Sequence, residues 1–267
     1  MCIHGMVEGG LQNTGFIEPY LAYRAIDECA ELGVYSIKFN FRGEPLLHEN
    51  IVDFVRYGKQ KGILEVQFNT NGLPANHEKI EALVLSGLDR IIFSIDGANK
   101  ESYEKIRIKG NYDKLLGNIA KFIELRKIHK QTRPFIRVQM VRSKDEELEA
   151  EQFVEYWSKK GVDDIVLIDK QKRDSSGNPL KDGKPAIGRA FCAQPWQRLN
   201  INRDGKVLMC CADWDRLSVV GDFNNQSIKE IWNSPKLIKY RQMIKEDRMD
   251  EITACKACFR PATYKWE

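Results

Sequence analysis

The chain has 267 residues, of which 42% are hydrophobic and 30% charged, and its formal net charge is +4. These values are ordinary for a globular protein, and the mild positive charge does not by itself indicate a nucleic-acid partner. No apolar run approaches the ~20 residues that a membrane helix needs. The first twenty residues lack the apolar core of a signal peptide. We therefore expect a cytoplasmic protein with neither a membrane nor a nucleic acid as its partner.

Helix and strand patterns alternate from residue 17 to residue 169. Helices are predicted over 17–33, 49–62, 76–87, 112–130 and 147–161, and strands over 34–41, 63–72, 88–97, 134–141 and 162–169. Each connection between successive strands is long enough for a right-handed crossover. The pattern predicts an α/β fold with a parallel sheet and helices outside it. In such sheets the ligand site lies at the carboxyl ends of the strands.

The last third of the chain has a different pattern. Residues 170–190 are rich in Lys, Gly, Pro, Ser and Asp, which is typical of a linker or loop. Beyond them, 197–210 is predicted to form two strands around an Asp-Gly turn, and 227–247 to be helical with a break at Pro235. We therefore expect two domains, 1–180 and 181–267, the second small and cysteine-rich.

The seven cysteines are unevenly distributed. Five of them lie in the last 76 residues, and the full set is Cys2, Cys29, Cys192, Cys210, Cys211, Cys255 and Cys258. Clustered cysteines in a chain of this size favour metal binding or catalysis over disulfides. Four thiolates suit either tetrahedral zinc or an iron–sulfur cluster, and spacing alone does not choose between them.

Polar and glycine-rich motifs follow the first three predicted strands. They are "RGEP", "NTNG" and "SIDG". Together with "YEKIRIKGNYDKLLGNI", this ordered set resembles a radical S-adenosylmethionine (radical SAM) enzyme over residues 2–169. The resemblance implies a partial (β/α)6 parallel barrel that lacks its first strand. It also implies a Cys-x3-Cys-x2-Cys loop for a [4Fe–4S] cluster, of which Cys2 is the last cysteine. We expect the first strand and two cluster cysteines to precede Met1, and this chain as it stands to be inactive.

The same resemblance implies a set of residues that bind S-adenosylmethionine. Glu44 receives the amino group of the methionine part, within a turn shaped by its neighbours. Arg107 pairs with the methionine carboxylate, and Ser94 contacts the ribose. The complete set is Gly43, Glu44, Pro45, Asn69, Ser94, Arg107 and Gln139. For Asn69 the alternative is a plain turn residue, and for Arg107 a surface arginine.

The spacing Cys192-x12-Gly205-x4-Cys210, followed by Cys255-x2-Cys258, resembles the Twitch form of the SPASM extension. That form implies one auxiliary [4Fe–4S] cluster held by Cys192, Cys210, Cys255 and Cys258. Structural zinc is the alternative. Cys211 is interpreted as a packing residue, because adjacent side chains on a strand point to opposite faces. Cys29 lies in an apolar helical pattern and is interpreted as a small buried hydrophobe.

The resemblance implies that a 5′-deoxyadenosyl radical abstracts a hydrogen atom from the substrate. The auxiliary cluster then takes the second electron of an oxidation, and a flavodoxin or ferredoxin acts as the reductant. The expected substrate is a small polyol or amino sugar, and a peptide side chain is the alternative. A third hypothesis is a non-catalytic fragment or a zinc-stabilised binding protein.

Overall fold

A computed structural model of the chain describes residues 15–142, 147–169, 192–211, 213 and 216–256. The chain divides into two compact units, and each is described by itself. The first contains the described residues from 22 to 169. The second contains 15–21 together with those from 192 onward. The domain boundary that we predicted near residue 180 lies outside the described residues.

Helices and strands alternate through the first unit. The helices are α1 (Pro19–Glu31), α2 (Ile51–Gln60), α3 (His77–Val84), α4 (Lys100–Ile106), α5 (Tyr112–Ile128) and α6 (Glu147–Ser158). The strands are β1 (Ser36–Lys38), β2 (Glu65–Thr70), β3 (Arg90–Ser94), β4 (Phe135–Arg142) and β5 (Asp164–Asp169). They form one parallel sheet in the order β1-β2-β3-β4-β5, which confirms the predicted fold class.

Two elements of the first unit differ from the prediction. Strand β1 has three residues instead of eight, because the Asn40 amide bonds back to the Lys38 carbonyl and turns the chain out of the sheet. Helix α4 was not predicted, since few of its residues are apolar. It begins at a capping box in which Asn99 and Ser102 each satisfy the other's backbone N–H, a device that stabilises a helix start.

Helices cover one face of the parallel sheet. Side chains in β2 and β4 alternate between buried and half-buried, as the two-residue repeat of a strand requires. The buried strand side chains join helix residues in one hydrophobic core, which includes Val66, Phe68, Ile91, Phe93, Val138, Leu83, Leu115 and Phe122. Burial of each such side chain contributes about 1.5–3 kcal/mol. The other face of the sheet carries polar side chains, and we call it the polar face.

The second unit is a small antiparallel sheet with short helices. Its strands are β6 (Asn200–Ile201), β7 (Lys206–Leu208) and β8 (Val219–Asp222), and its helices are α7 (Gln194–Gln197), α8 (Ile228–Trp232), α9 (Pro235–Lys245) and α10 (Thr253–Lys256). The β6–β7 hairpin and the helix break before Pro235 confirm predictions, whereas β8 was not predicted. Among the described helices of the chain, none is long and apolar enough to cross a membrane.

Candidate functional site

The polar face brings together side chains from neighbouring strands near their carboxyl ends. Ser94 of β3 and Gln139 of β4 lie side by side in the register, and the Gln139 amide donates a hydrogen bond to the Ser94 hydroxyl at 3.2 Å. Asn69 of β2 and Ile92 of β3 form the adjoining pair. The structure therefore places Asn69, Ser94 and Gln139, three of the predicted site residues, on one face of one sheet.

Asn69 carries an unsatisfied polar atom. Its side-chain Oδ1 is buried and has no hydrogen-bond partner, although its backbone N–H donates to Asn40 Oδ1 at 3.2 Å. A buried acceptor without a donor costs about 1–3 kcal/mol, and such groups in native structures call for an explanation. A bound molecule that offers an N–H or O–H to this oxygen would satisfy it.

The turn after β1 has the geometry that its sequence favours. Gly43 has a φ of +118°, which only glycine adopts without strain. Pro45 is the first residue of a 3₁₀ turn, Pro45–Leu47, where a missing N–H costs nothing. The two residues thus direct the intervening carboxylate toward the end of β2.

Glu44 joins this turn to the end of β2. Its Oε1 accepts from the Leu46 amide at 3.0 Å and from the Thr70 hydroxyl at 2.6 Å. Its Oε2 accepts from the Asn71 amide at 2.7 Å. A carboxylate has about four acceptor positions, so one remains for a further donor. Glu44 therefore organises the edge of the sheet as well as offering a position to an ammonium group.

Arg107 forms an ion pair with a buried carboxylate of the same unit. Its Nη2 pairs with Asp96 Oδ2 at 2.6 Å, and the Val141 amide donates to Asp96 Oδ1 at 3.1 Å. Asp96 is only 3% exposed, and a buried carboxylate needs such partners. Asp96 and Arg107 thus form a buried ion pair at the carboxyl end of β3, and one edge of the Arg107 guanidinium is engaged within the protein.

Charged pairs lie deeper on the polar face. Arg137 contacts Asp164 at 2.5 Å on the adjacent strand, and Arg90 approaches Glu65 at 3.5 Å. Residues from two separate strands form each pair, so only the sheet register reveals it.

The described cysteines of the second unit lie on several elements. Cys192 precedes α7, Cys255 lies in α10, and Cys210 and Cys211 follow β7; all four are half-buried. Strand β7 ends at Leu208, so the strand alternation used to separate Cys210 from Cys211 does not apply to them. That reasoning was wrong, because the chain leaves the sheet two residues earlier.

Two predicted cluster cysteines, Cys2 and Cys258, lie outside the described residues. Among the residues that are described, no three His, Cys, Asp or Glu side chains converge as a metal site. Cys29 packs against the core of the first unit, and burial, followed by the charge of Glu28, raises its pKa to about 11. This environment agrees with the interpretation of Cys29 as a packing residue.

Comparison with known proteins assigns both units. The model of the radical SAM superfamily matches residues 13–139, and that of SPASM, an iron–sulfur cluster-binding domain, matches residues 192–259. The chain is a radical SAM protein with a C-terminal SPASM domain. These two domains imply S-adenosylmethionine and [4Fe–4S] clusters as cofactors.

Curated relatives match part of the chain. A 2-deoxy-scyllo-inosamine dehydrogenase of Niallia circulans, dependent on S-adenosyl-L-methionine, is 29% identical over 86 residues, 32% of this chain and 34% of that protein. A GTP 3′,8-cyclase of Limosilactobacillus fermentum is 34% identical over 95 residues, 36% of this chain and 28% of that protein. The matched segments thus span about a third of the relatives' length.

Solved structures share the fold. BtrN in complex with AdoMet and 2-DOIA has a TM-score of 0.60 at 19% identity, over 99% of this chain and 89% of that one. Streptococcus suis SuiB bound to S-adenosylmethionine has a TM-score of 0.71 at 13% identity, over 93% and 66%. Native anSMEcpe with AdoMet and the Cp18Cys peptide has a TM-score of 0.62 at 15% identity, over 91% and 80%.

The residues present fit these cofactors unequally. The remaining acceptor position of Glu44 fits the ammonium group of S-adenosylmethionine. The thiolate donors of the second unit have the chemistry of an iron–sulfur site. Cys2, the predicted ligand of the cluster of the first domain, lies outside the described residues.

Proposed function

We propose that the chain belongs to an S-adenosylmethionine-dependent oxidoreductase whose substrate is a small amino polyol. The observation that carries this proposal is the buried, unpartnered Asn69 Oδ1 beside the Ser94–Gln139 pair on the polar face. A substrate rich in hydroxyl or ammonium donors satisfies such a face. An apolar substrate would leave the acceptor unpaired, and sites of this kind discriminate strongly against ligands that lack the donor.

The residues of this chain would bind and orient the reactants. Glu44 holds the turn after β1 and accepts from an ammonium group, while Asn69, Ser94 and Gln139 orient donors on the polar face. When bound, S-adenosylmethionine and a reduced cluster supply a carbon radical that removes a hydrogen atom from the substrate. Cys192, Cys210, Cys255 and Cys258 would hold the auxiliary cluster, which we propose accepts the second electron. A flavodoxin or ferredoxin would be the reductant.

Similarity to known proteins supports this choice without deciding it. The Niallia circulans relative is named for an amino cyclitol, 2-deoxy-scyllo-inosamine, and BtrN was solved with 2-DOIA. A peptide substrate is the second candidate, because anSMEcpe has the same fold and was solved with a bound peptide. The two candidates differ in the number of hydrogen-bond donors that they offer to the polar face, because a peptide side chain has fewer donors than an amino polyol.

An anaerobic turnover assay tests the proposal. The protein, produced with any residues its gene encodes upstream, is reconstituted with iron and sulfide and given S-adenosylmethionine, a reductant and either 2-deoxy-scyllo-inosamine or a serine- or cysteine-containing peptide. We expect the amino cyclitol to raise 5′-deoxyadenosine formation. Asn69→Ala should lower this stimulated rate at least about tenfold, because it removes a hydrogen bond to a buried acceptor.

Gln67→Ala is the matched control, since Gln67 lies on the same strand and face but bonds within the protein to Glu65 and Ser36. We expect its rate to stay within about twofold of wild type. Stimulation by the peptide and not by the amino cyclitol would replace the first candidate with the second. One zinc per chain and no iron would contradict both candidates.

A further inference from the structure

The connection between β7 and β8, which carries Cys210 and Cys211, closes on itself. The Met209 amide donates to the Ser218 carbonyl at 3.1 Å, immediately beyond the last paired residues of the two strands, Leu208 and Val219. We call the described residues of this connection, 209–211, 213 and 216–218, the cysteine loop. Both of its ends are therefore anchored to the sheet.

Asp213 lies inside the cysteine loop and is only 4% exposed. Its Oδ1 accepts from the Leu217 amide at 2.9 Å, and its Oδ2 accepts from the Ser218 amide at 2.6 Å and the Ser218 hydroxyl at 2.5 Å. Its own backbone N–H donates to the Cys210 carbonyl at 3.3 Å. One residue thus ties the end of the loop to the start that carries Cys210.

A second contact supports the same conformation. Arg216 has a φ of +61°, a left-handed conformation that costs a non-glycine residue free energy. Its guanidinium pairs with Asp204 in the β6–β7 turn. Although burial raises the pKa of Asp204, hydrogen bonds from Arg216, the Lys206 amide and Asn202 outweigh it and leave that pKa lowered. The ion pair holds the loop against the hairpin.

We propose that Asp213 is a positioning residue for the Cys210 thiolate: its buried carboxylate preforms the cysteine loop and thereby fixes the place of Cys210 in it. This inference rests on the proposed auxiliary cluster. Three hydrogen bonds to the Asp213 carboxylate offset the cost of removing it from water and fix the path of the loop. A cluster needs its ligands held in a defined geometry, and residues around the ligands supply this.

Thiol accessibility in the cluster-free chain tests the positioning directly. We would measure the alkylation rate of each cysteine by mass spectrometry in wild type, Asp213→Asn and Ser218→Ala. Asp213→Asn replaces an acceptor by an NH₂ group that opposes the loop's donors, so we expect Cys210 to react about tenfold faster. Ser218→Ala removes one of three donors, and we expect about a threefold increase.

Asp222→Asn is the matched control, because Asp222 also accepts several hydrogen bonds in the same sheet, but from Lys206, Asn224 and Asn225. In the Asp222→Asn variant, Cys210 should be alkylated at the wild-type rate. Wild-type reactivity of Cys210 in Asp213→Asn would overturn the proposal. An equal increase in the alkylation rates of Cys192 and Cys255 in Ser218→Ala would also overturn the proposal, because that pattern indicates a general loss of structure in the second unit. If Asp213→Asn does not fold, the alkylation rate of Cys210 in Ser218→Ala tests the proposal by itself.

Iron loading then separates this inference from the proposed function. After anaerobic reconstitution, we expect about four irons in the second domain of wild type and of Asp222→Asn. Asp213→Asn should bind less iron and shift the electron paramagnetic resonance spectrum of the reduced cluster. If wild type binds no iron while Cys210 alkylation still depends on Asp213, the auxiliary cluster is wrong and the loop geometry stands. A spectrum and iron content in Asp213→Asn equal to wild type would overturn the positioning role.

Discussion

The carboxylate of Glu44 has two separable roles, and replacing it with an amide distinguishes them. In the structure the side chain accepts from the Leu46 amide, the Thr70 hydroxyl and the Asn71 amide. The Thr70 oxygen in turn accepts from the Gly72 amide at 2.9 Å. Chains of hydrogen bonds of this kind polarise and strengthen one another. Glu44→Gln keeps the shape of the side chain but turns one oxygen into a donor.

The expected cost follows from these contacts. The amide oxygen of glutamine can still receive the Leu46 and Thr70 donors, but its NH₂ group then faces the Asn71 N–H. One hydrogen bond to a charged acceptor is lost, which costs about 2 kcal/mol. For a domain of this size, that corresponds to a decrease of about 6 °C in Tm. We therefore expect Glu44→Gln to lower Tm even without any ligand.

Thermal unfolding of the first unit, followed by calorimetry, measures this effect. Glu49→Gln is the control, because it makes the same chemical change at an exposed position of the same connection; its Tm should change by less than about 1 °C. Equilibrium binding of S-adenosylmethionine is measured on the same samples. A Tm equal to wild type, with weakened binding, would refute the organising role and leave Glu44 as a ligand contact alone.

Two further predictions concern the first unit. Asp96→Asn should lower the free energy of unfolding by about 3 kcal/mol, because it leaves the guanidinium of Arg107 without its counter-charge; urea unfolding measures this, and a change below about 1 kcal/mol would contradict it. Burial, followed by the nearby Tyr156 and Asp113, raises the pKa of Tyr112 to about 12. The folded state then retains the phenol proton that the unfolded state loses, so stability should fall between about pH 10 and pH 12. Tyr112→Phe should make this decline shallower in urea unfolding at pH 8 and pH 10.5, and an unchanged slope would contradict the assignment.

The sequence by itself determined the elements and their order in the first unit. Apolar repeats of helix and strand periods, separated by turn residues, predicted the five parallel strands. Local signals marked individual ends: Gly33 adopts a φ of +66° just after α1, and Asn76 accepts from the Lys79 amide at the start of α3. Such signals depend on a few neighbouring residues, so they can be read without a fold. The motif order was likewise sufficient to predict the family.

Only the tertiary structure decided which polar groups meet. Asp96 pairs with Arg107, Glu44 bonds to the end of β2, and the side-chain oxygen of Asn69 has no partner. Each of these features depends on atoms from separate elements, so no local sequence pattern predicts it. The end of β7 at Leu208 also removed the strand alternation assumed for Cys210. Hydrophobic periodicity specifies which face of an element is buried, whereas the partner of a polar atom depends on sheet register and loop path, which form only when the whole unit packs.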